Sequence, residues 1–326
     1  MKFGIISIGN HAMNRVMPAI KSSGNEISAI YSRNMEKAKK ESLKYGSEPY
    51  DSLDRFFSES EFEAVYISSP NFMHFEHARR SLEEGKHVLL EKQMTLRNED
   101  AEKLADLSTE KKLELAVGFH MRFNPAIEDL KKMISNGDLG EIAHIHGTWA
   151  HLSSSSRTNP DSMWWSEDDK VGGGSVMGTG VHVIDTINYL LGRKPDSVYA
   201  IKRPEGKLIE DTETVIMQYG DTVGEALSSR SIAGAFNSLV VQGNKTTLVA
   251  ENAFGTSVAC SLKRDGKIIK EYREGNVYQK EVASFVDLVS GKKSTIATVE
   301  DGEIVVKIVN AANESDSTKR AVKIRV

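Results

Sequence analysis

The chain carries one cysteine, Cys260, in 326 residues. A single thiol excludes an internal disulfide framework and any multi-thiolate metal cluster. Long hydrophobic runs are also missing: no apolar stretch approaches the roughly 20 residues that span a bilayer. No charged-then-apolar leader precedes the first strand-like segment, so a cytoplasmic protein is expected. Neither sign of charge dominates. With 42 basic and 46 acidic residues the formal net charge is -4, which leaves no basic footprint for nucleic acid and no polybasic arm for a membrane surface. What remains, 39% hydrophobic and 27% charged residues, is ordinary globular composition, long enough for two domains with a core each.

The first third alternates two patterns. "KFGIISI", "EISAIYS", "EAVYISS", "KHVLLEK" and "LELAVGF" are near-continuous apolar runs, as in strands buried on both faces. Helical spacing fills the gaps: Asn34 opens a segment that stops at Gly46, Asn71 precedes one that stops at Gly85, and a third begins at Asn98. This alternation predicts βαβ units in a doubly wound parallel sheet, with ligand at the carboxyl ends of its strands. After a further helix over "NPAIEDLKKMIS" the runs become longer and alternate apolar with polar residues, separated by hairpin turns such as "RDGK" and "QGNK". The expected architecture is α/β: a dinucleotide-binding domain over 1–121, then an α+β domain over 122–326 with an open, mostly antiparallel sheet.

The first strand runs into "SIGNHA", S-x-G-x-x-A where a dinucleotide fingerprint reads G-x-G-x-x-G. Gly9 keeps the position at which backbone approaches a pyrophosphate, and Ala12 is small enough for helix–strand packing. Ser7, Gly9, Asn10, His11 and Ala12 are therefore assigned to the cofactor turn; the alternative is a buried strand running into an ordinary helix. The second strand ends in Tyr31-Ser32-Arg33-Asn34, without the carboxylate that holds a ribose diol. Ser32 and Arg33 suit a 2′-phosphate, which favours NADP over NAD; as an alternative, Arg33 is a solvated surface residue. His144 and His146 alternate on one strand and share a face, but no third metal ligand stands at a matching spacing, so no metal is expected.

Four further stretches, "SSPNFMH", "LLEKQMTL", "GFHMRFNP" and "GGGSVMGTGVHVID", occur in order. With them the chain closely resembles the glucose–fructose oxidoreductase/inositol dehydrogenase/rhizopine-catabolism (Gfo/Idh/MocA) family along nearly its whole length. The resemblance implies an NAD(P)-dependent oxidoreductase acting on a secondary alcohol or carbonyl of a sugar, sugar derivative or cyclitol, assembled as a homodimer or homotetramer. Glu91-Lys92-Gln93 matches the family's Glu-Lys-Pro signature, so Lys92 is implied to contact the reacting oxygen and the nicotinamide ribose, with Glu91 beside it. Gln93 departs from the family's proline. His182 falls at the catalytic histidine and Asp185 at a second acidic position, while Gly178 replaces the aspartate that commonly stands four residues before the histidine. Ser69, Pro70, Asn71 and His74 match the loop over ribose and nicotinamide, and Arg122 a position near nicotinamide and substrate.

Plainer roles exist for these residues: a strand-end ion pair for Lys92, a cap or core position for His182, an N-cap for Asn71. Trp164 and Trp165 suit either stacking on a sugar face or packing. Gly178 and Gln93 motivate a second reading, a catalytically weakened, nucleotide-binding sensor of the same fold. A third is a lyase or glycosidase that oxidises its substrate transiently.

Overall fold

A computed structural model of the chain describes residues 1–153, 166–234, 236–255, 259–273 and 275–324. Trp164 and Trp165 lie outside the described residues. The chain forms two compact units, Met1–Phe119 with Tyr278–Glu303, and His120–Val277 with Ile304–Val326. The single boundary expected near residue 121 is thus one of three crossings.

In the first unit, strands β1 (Lys2–Ile6), β2 (Glu26–Tyr31), β3 (Glu48–Tyr50), β4 (Ala64–Ile67), β5 (His87–Leu90) and β6 (Leu115–Val117) form a parallel sheet in the order β6-β5-β4-β1-β2-β3. This is the doubly wound Rossmann arrangement, with the order reversing at β1. The caps read at Asn34 and Gly46 are present: Asn34 Oδ1 accepts from the Lys37 N–H at 3.0 Å, and Gly46 closes that helix at φ +69°; the helix after Asn71 instead starts at His74 with Met73 as its N-cap. The return segment is bound tertiarily. Its helix, Val277–Val289, sets Phe285 against Phe3 of β1 with ring centroids 5.9 Å apart. Ala297–Thr298 then pairs antiparallel with β6. Neither contact leaves a local mark in the sequence.

In the second unit, β7 (Ile142–Ala150), β8 (Ser197–Arg203), β9 (Thr212–Tyr219), β10 (Thr222–Ser229), β11 (Leu239–Gly243), β12 (Thr247–Glu251), β13 (Cys260–Arg264) and β14 (Lys267–Tyr272) run in the order β14-β13-β12-β11-β7-β10-β9-β8. Val322–Lys323 adds an edge strand beside β8. The β7–β10 pair is parallel and the other pairs are antiparallel. The expected open α+β sheet is therefore present. Along β9, Val215, Met217 and Tyr219 are buried while Thr214, Ile216 and Gln218 face outward. The helix Val181–Leu191 lies across the inner face at close range. A Cβ on Gly147 would stand 2.6 Å from Val183, and one on Gly224 3.2 Å from Ile187. Glycine at these two positions lets the helix seat against β7 and β10, which places the side chains it carries. No helix among the described residues is long and apolar enough to cross a membrane.

Candidate active site

In the first unit the ends of β1, β2 and β4 are tied through Ser7. Its N–H donates to Tyr31 O at 2.9 Å, and its carbonyl accepts from Ser68 Oγ at 2.9 Å. Ser7 has φ +72°, the left-handed region, which explains why a glycine usually stands at this turn position. A Cβ on Gly9 would meet no protein atom within 4 Å. Chain packing does not demand glycine there, so its bare backbone suits close approach by a phosphate. Asn10 is exposed, His11 half-buried and Ala12 buried at the base of the following helix. That helix begins with a π turn, Ala12–Val16; Pro18, which has no N–H, denies the run a regular i→i−4 bond.

His11 Nε2 lies 3.2 Å from Glu91 Oε1, and Tyr66 Oη donates to the same oxygen at 2.8 Å. Burial alone would raise the Glu91 carboxyl, but His11, Lys92 and Tyr66 outweigh it and hold the group at about 2. Burial pushes the Lys92 ammonium down, with Glu91 opposing. The Lys92–Gln93 peptide is cis although residue 93 is not proline.

His74 is fully buried, its Nδ1 2.7 Å from Gln93 O and its Nε2 2.7 Å from Ser69 O. It staples the loop after β4 to the turn after β5, and neither ring nitrogen is left over for a ribose hydroxyl. His77 Nδ1 meets Ser69 Oγ at 2.9 Å; burial, with His74 and Arg33, pulls its imidazole down to about 4. Asn71 is buried at the start of the 3-10 turn Asn71–Met73, which Pro70 precedes. At the end of β2, Ser32 Oγ accepts from the Asn34 N–H at 3.2 Å, and Arg33 is exposed.

The second unit carries the other group. Residues Val176–Gly180 make a π turn that continues into the helix Val181–Leu191. His182 is 2% exposed, its ring 4.5 Å from that of His120 and 5.2 Å from that of Trp149. Asp185 does not simply stand in for the missing aspartate: both its oxygens meet Arg122, with Nε–Oδ2 2.9 Å and Nη2–Oδ1 2.5 Å. The Arg122 guanidinium also lies over the Tyr189 ring, 4.8 Å from its centroid. A Cβ on Gly178 would meet nothing within 4 Å. His120 and Trp149 escaped the sequence reading. His120 stands inside "GFHMRFNP", two residues before Arg122, but only the fold brings it to His182. On the outward face of β7, His144 and His146 lie 5.3 Å apart by ring centroid. Among the described residues no three His, Cys, Asp or Glu groups gather to hold a metal ion.

A Rossmann unit and an open-sheet α+β unit in one chain define a dinucleotide-binding class of fold, and family models agree. Residues 1–119 match the model described as oxidoreductase family, NAD-binding Rossmann fold, and residues 127–249 match the GFO/IDH/MocA C-terminal domain. The chain belongs to the Gfo/Idh/MocA family of oxidoreductases. It is 25% identical to D-xylose 1-dehydrogenase (NADP(+)) 2 of Haloferax volcanii, over 99% of this chain and 100% of that one. It is 28% identical to glucose-6-phosphate 3-dehydrogenase of Bacillus subtilis over 69% of this chain, a match spanning 64% of that relative's length. Among solved structures, a levoglucosan dehydrogenase in complex with NADH and levoglucosan superposes with a TM-score of 0.87 at 19% identity, covering 100% of both chains.

Proposed function

We propose that this protein is an NADP-preferring oxidoreductase moving hydride between the nicotinamide and a secondary alcohol or carbonyl of a sugar, sugar derivative or cyclitol. The observation that carries the reading is the turn after β5: a lysine with a depressed pKa, on a backbone stapled by His74, at a strand end of a family-matched Rossmann unit. When bound, the cofactor supplies the hydride acceptor. The Lys92 ammonium favours alkoxide character on the carbinol oxygen as its C–H bond breaks. His182 takes the hydroxyl proton and returns it in the reverse direction. Asp185 holds Arg122 on the His182 helix, and Ser32 with Arg33 receives the 2′-phosphate. The likeness to a D-xylose 1-dehydrogenase named for NADP(+) supports this reading. The outward faces of β8 and β9, bearing Ile201 and Ile216, serve self-association.

The test is turnover of a panel of aldoses, polyols and cyclitols with NADP, read as nicotinamide absorbance. NADPH binding with no turnover across the panel would favour the sensor reading, which Gly178 motivates.

A further inference from the structure

The helix that bears His182 begins at the glycine run, and its first donors converge on a residue 36 positions along the chain. Gly174 N–H donates to Glu210 Oε2 at 2.7 Å and Val176 N–H to Oε1 at 2.8 Å. Ser175 Oγ lies 3.1 Å from the same Oε1, and Ser175 N–H donates to Glu210 O at 3.1 Å. The approach is so close that a Cβ on Gly174 would stand 1.9 Å from Glu210 O, which accounts for glycine at that position. Glu210 is 0% exposed, and among the described residues no lysine, arginine or histidine forms an ion pair with it. Its two side-chain oxygens accept from two backbone N–H groups and one hydroxyl, the arrangement of a carboxylate. A buried charge without a cation is costly unless amides and a helix N-terminus compensate it, as they do here.

We propose that Glu210 is a positioning residue for His182: it fixes the start of the helix that presents the imidazole and supplies the negative charge that Gly178 does not. The proposal rests on the reading of His182 as the proton-transfer group. His182 lies six residues past Val176, across the π turn Val176–Gly180 and into the helix that continues it. A unit charge about 10 Å from an imidazole moves its pKa by roughly half a unit to one unit at effective dielectrics of about 25–45. Among the described residues the rings of His120 and Trp149 lie beside His182, and Asp185, paired with Arg122, stands one turn along the same helix. The Glu210 charge also reaches Glu213, whose carboxyl it helps to raise.

The experiment follows the His182 imidazole by NMR in the full chain with 15N-labelled histidine, assigned by the signal lost in His182→Asn. Glu210→Gln keeps an acceptor and removes the charge. The titration midpoint is expected to fall by roughly half a unit to one unit, with NADPH affinity within about twofold of the parent. A folded Glu210→Gln whose midpoint stays within about 0.2 unit overturns the proposal. If that variant does not fold, Glu210→Asp decides. It keeps the charge, so the midpoint must hold even as Tm falls; a midpoint that drops with Tm overturns the proposal. Full turnover in His182→Asn would remove the catalytic reading of His182 while the coupling to Glu210 stood or fell on the titration alone.

Discussion

Glu213 offers the sharpest stability test. It lies on β9, 1% exposed, opposite Lys202 of β8 in the strand register. Lys202 Nζ is 3.8 Å from Glu213 Oε2, beyond hydrogen-bonding range, and donates instead to Asn313 Oδ1. Burial, with the Glu210 and Asp316 charges adding to it, raises the Glu213 carboxyl from 4.5 to about 8, Lys202 notwithstanding. A carboxyl raised in the fold keeps its proton after the unfolded chain has released it. Stability is therefore unaffected below pH 4.5, falls as pH climbs from 4.5 to about 8, and is flat above. Each unit is worth about 1.4 kcal/mol, so the window amounts to several kcal/mol.

Glu213→Gln removes this proton. Its Tm should match the parent's near pH 5 and exceed it progressively toward pH 8. A difference of about 2–4 kcal/mol by then corresponds to roughly 5–15 °C for a unit of this size. The assay is thermal unfolding of both proteins across pH 5 to 8.5, read as the difference, so that Glu281, buried in the other unit and also raised, cancels. A difference that stays constant with pH, or a parent more stable at pH 8, would refute the assignment.

Four other outcomes follow. Ser7→Gly should leave NADPH affinity unchanged and raise stability by about 0.5–1 kcal/mol, the left-handed cost at φ +72° being partly offset by unfolded-state entropy; Ser7→Val should lose about 2 kcal/mol by chemical denaturation. Arg33→Ala should weaken NADPH about tenfold in fluorescence titration and leave NADH alone, as loss of a charge-assisted phosphate contact requires; equal affinities in the parent would sink the NADP preference. Light scattering at micromolar concentration should give an oligomer that Ile216→Glu dissociates, since Ile216 stands outward on the open sheet; a monomeric parent argues against it. Lys92→Met and His182→Asn should lower kcat by roughly 10²–10⁴ with NADPH affinity nearly constant, and full activity in both would end the proposed mechanism.

How far these features could be read from sequence depended on how far their causes reach along the chain. Asn34, Gly46 and the Asp265–Gly266 hairpin act within a few residues, and the expected caps and turn are where the pattern put them. Ser7 was recognisable as a departure because the fingerprint around it is local; that it takes φ +72° is what makes the departure physical. Arg122 and Asp185 were each singled out, yet their pairing spans 63 residues and needs the helix Val181–Leu191 seated on β7 and β10. Phe285 and Ala297 carry no mark tying them to Phe3 and Val117, so the return of residues 278–303 was invisible. The glycine run shows the limit most clearly. "GGGS" announces a close approach, because glycine survives where a Cβ cannot fit. What approaches is Glu210, and an unremarkable "IED" in a loop says nothing of a carboxylate that gathers the start of the His182 helix. Long-range electrostatics of this kind enters the sequence only as an absence, here the missing acid at Gly178. The residue that supplies the charge has to be found in space.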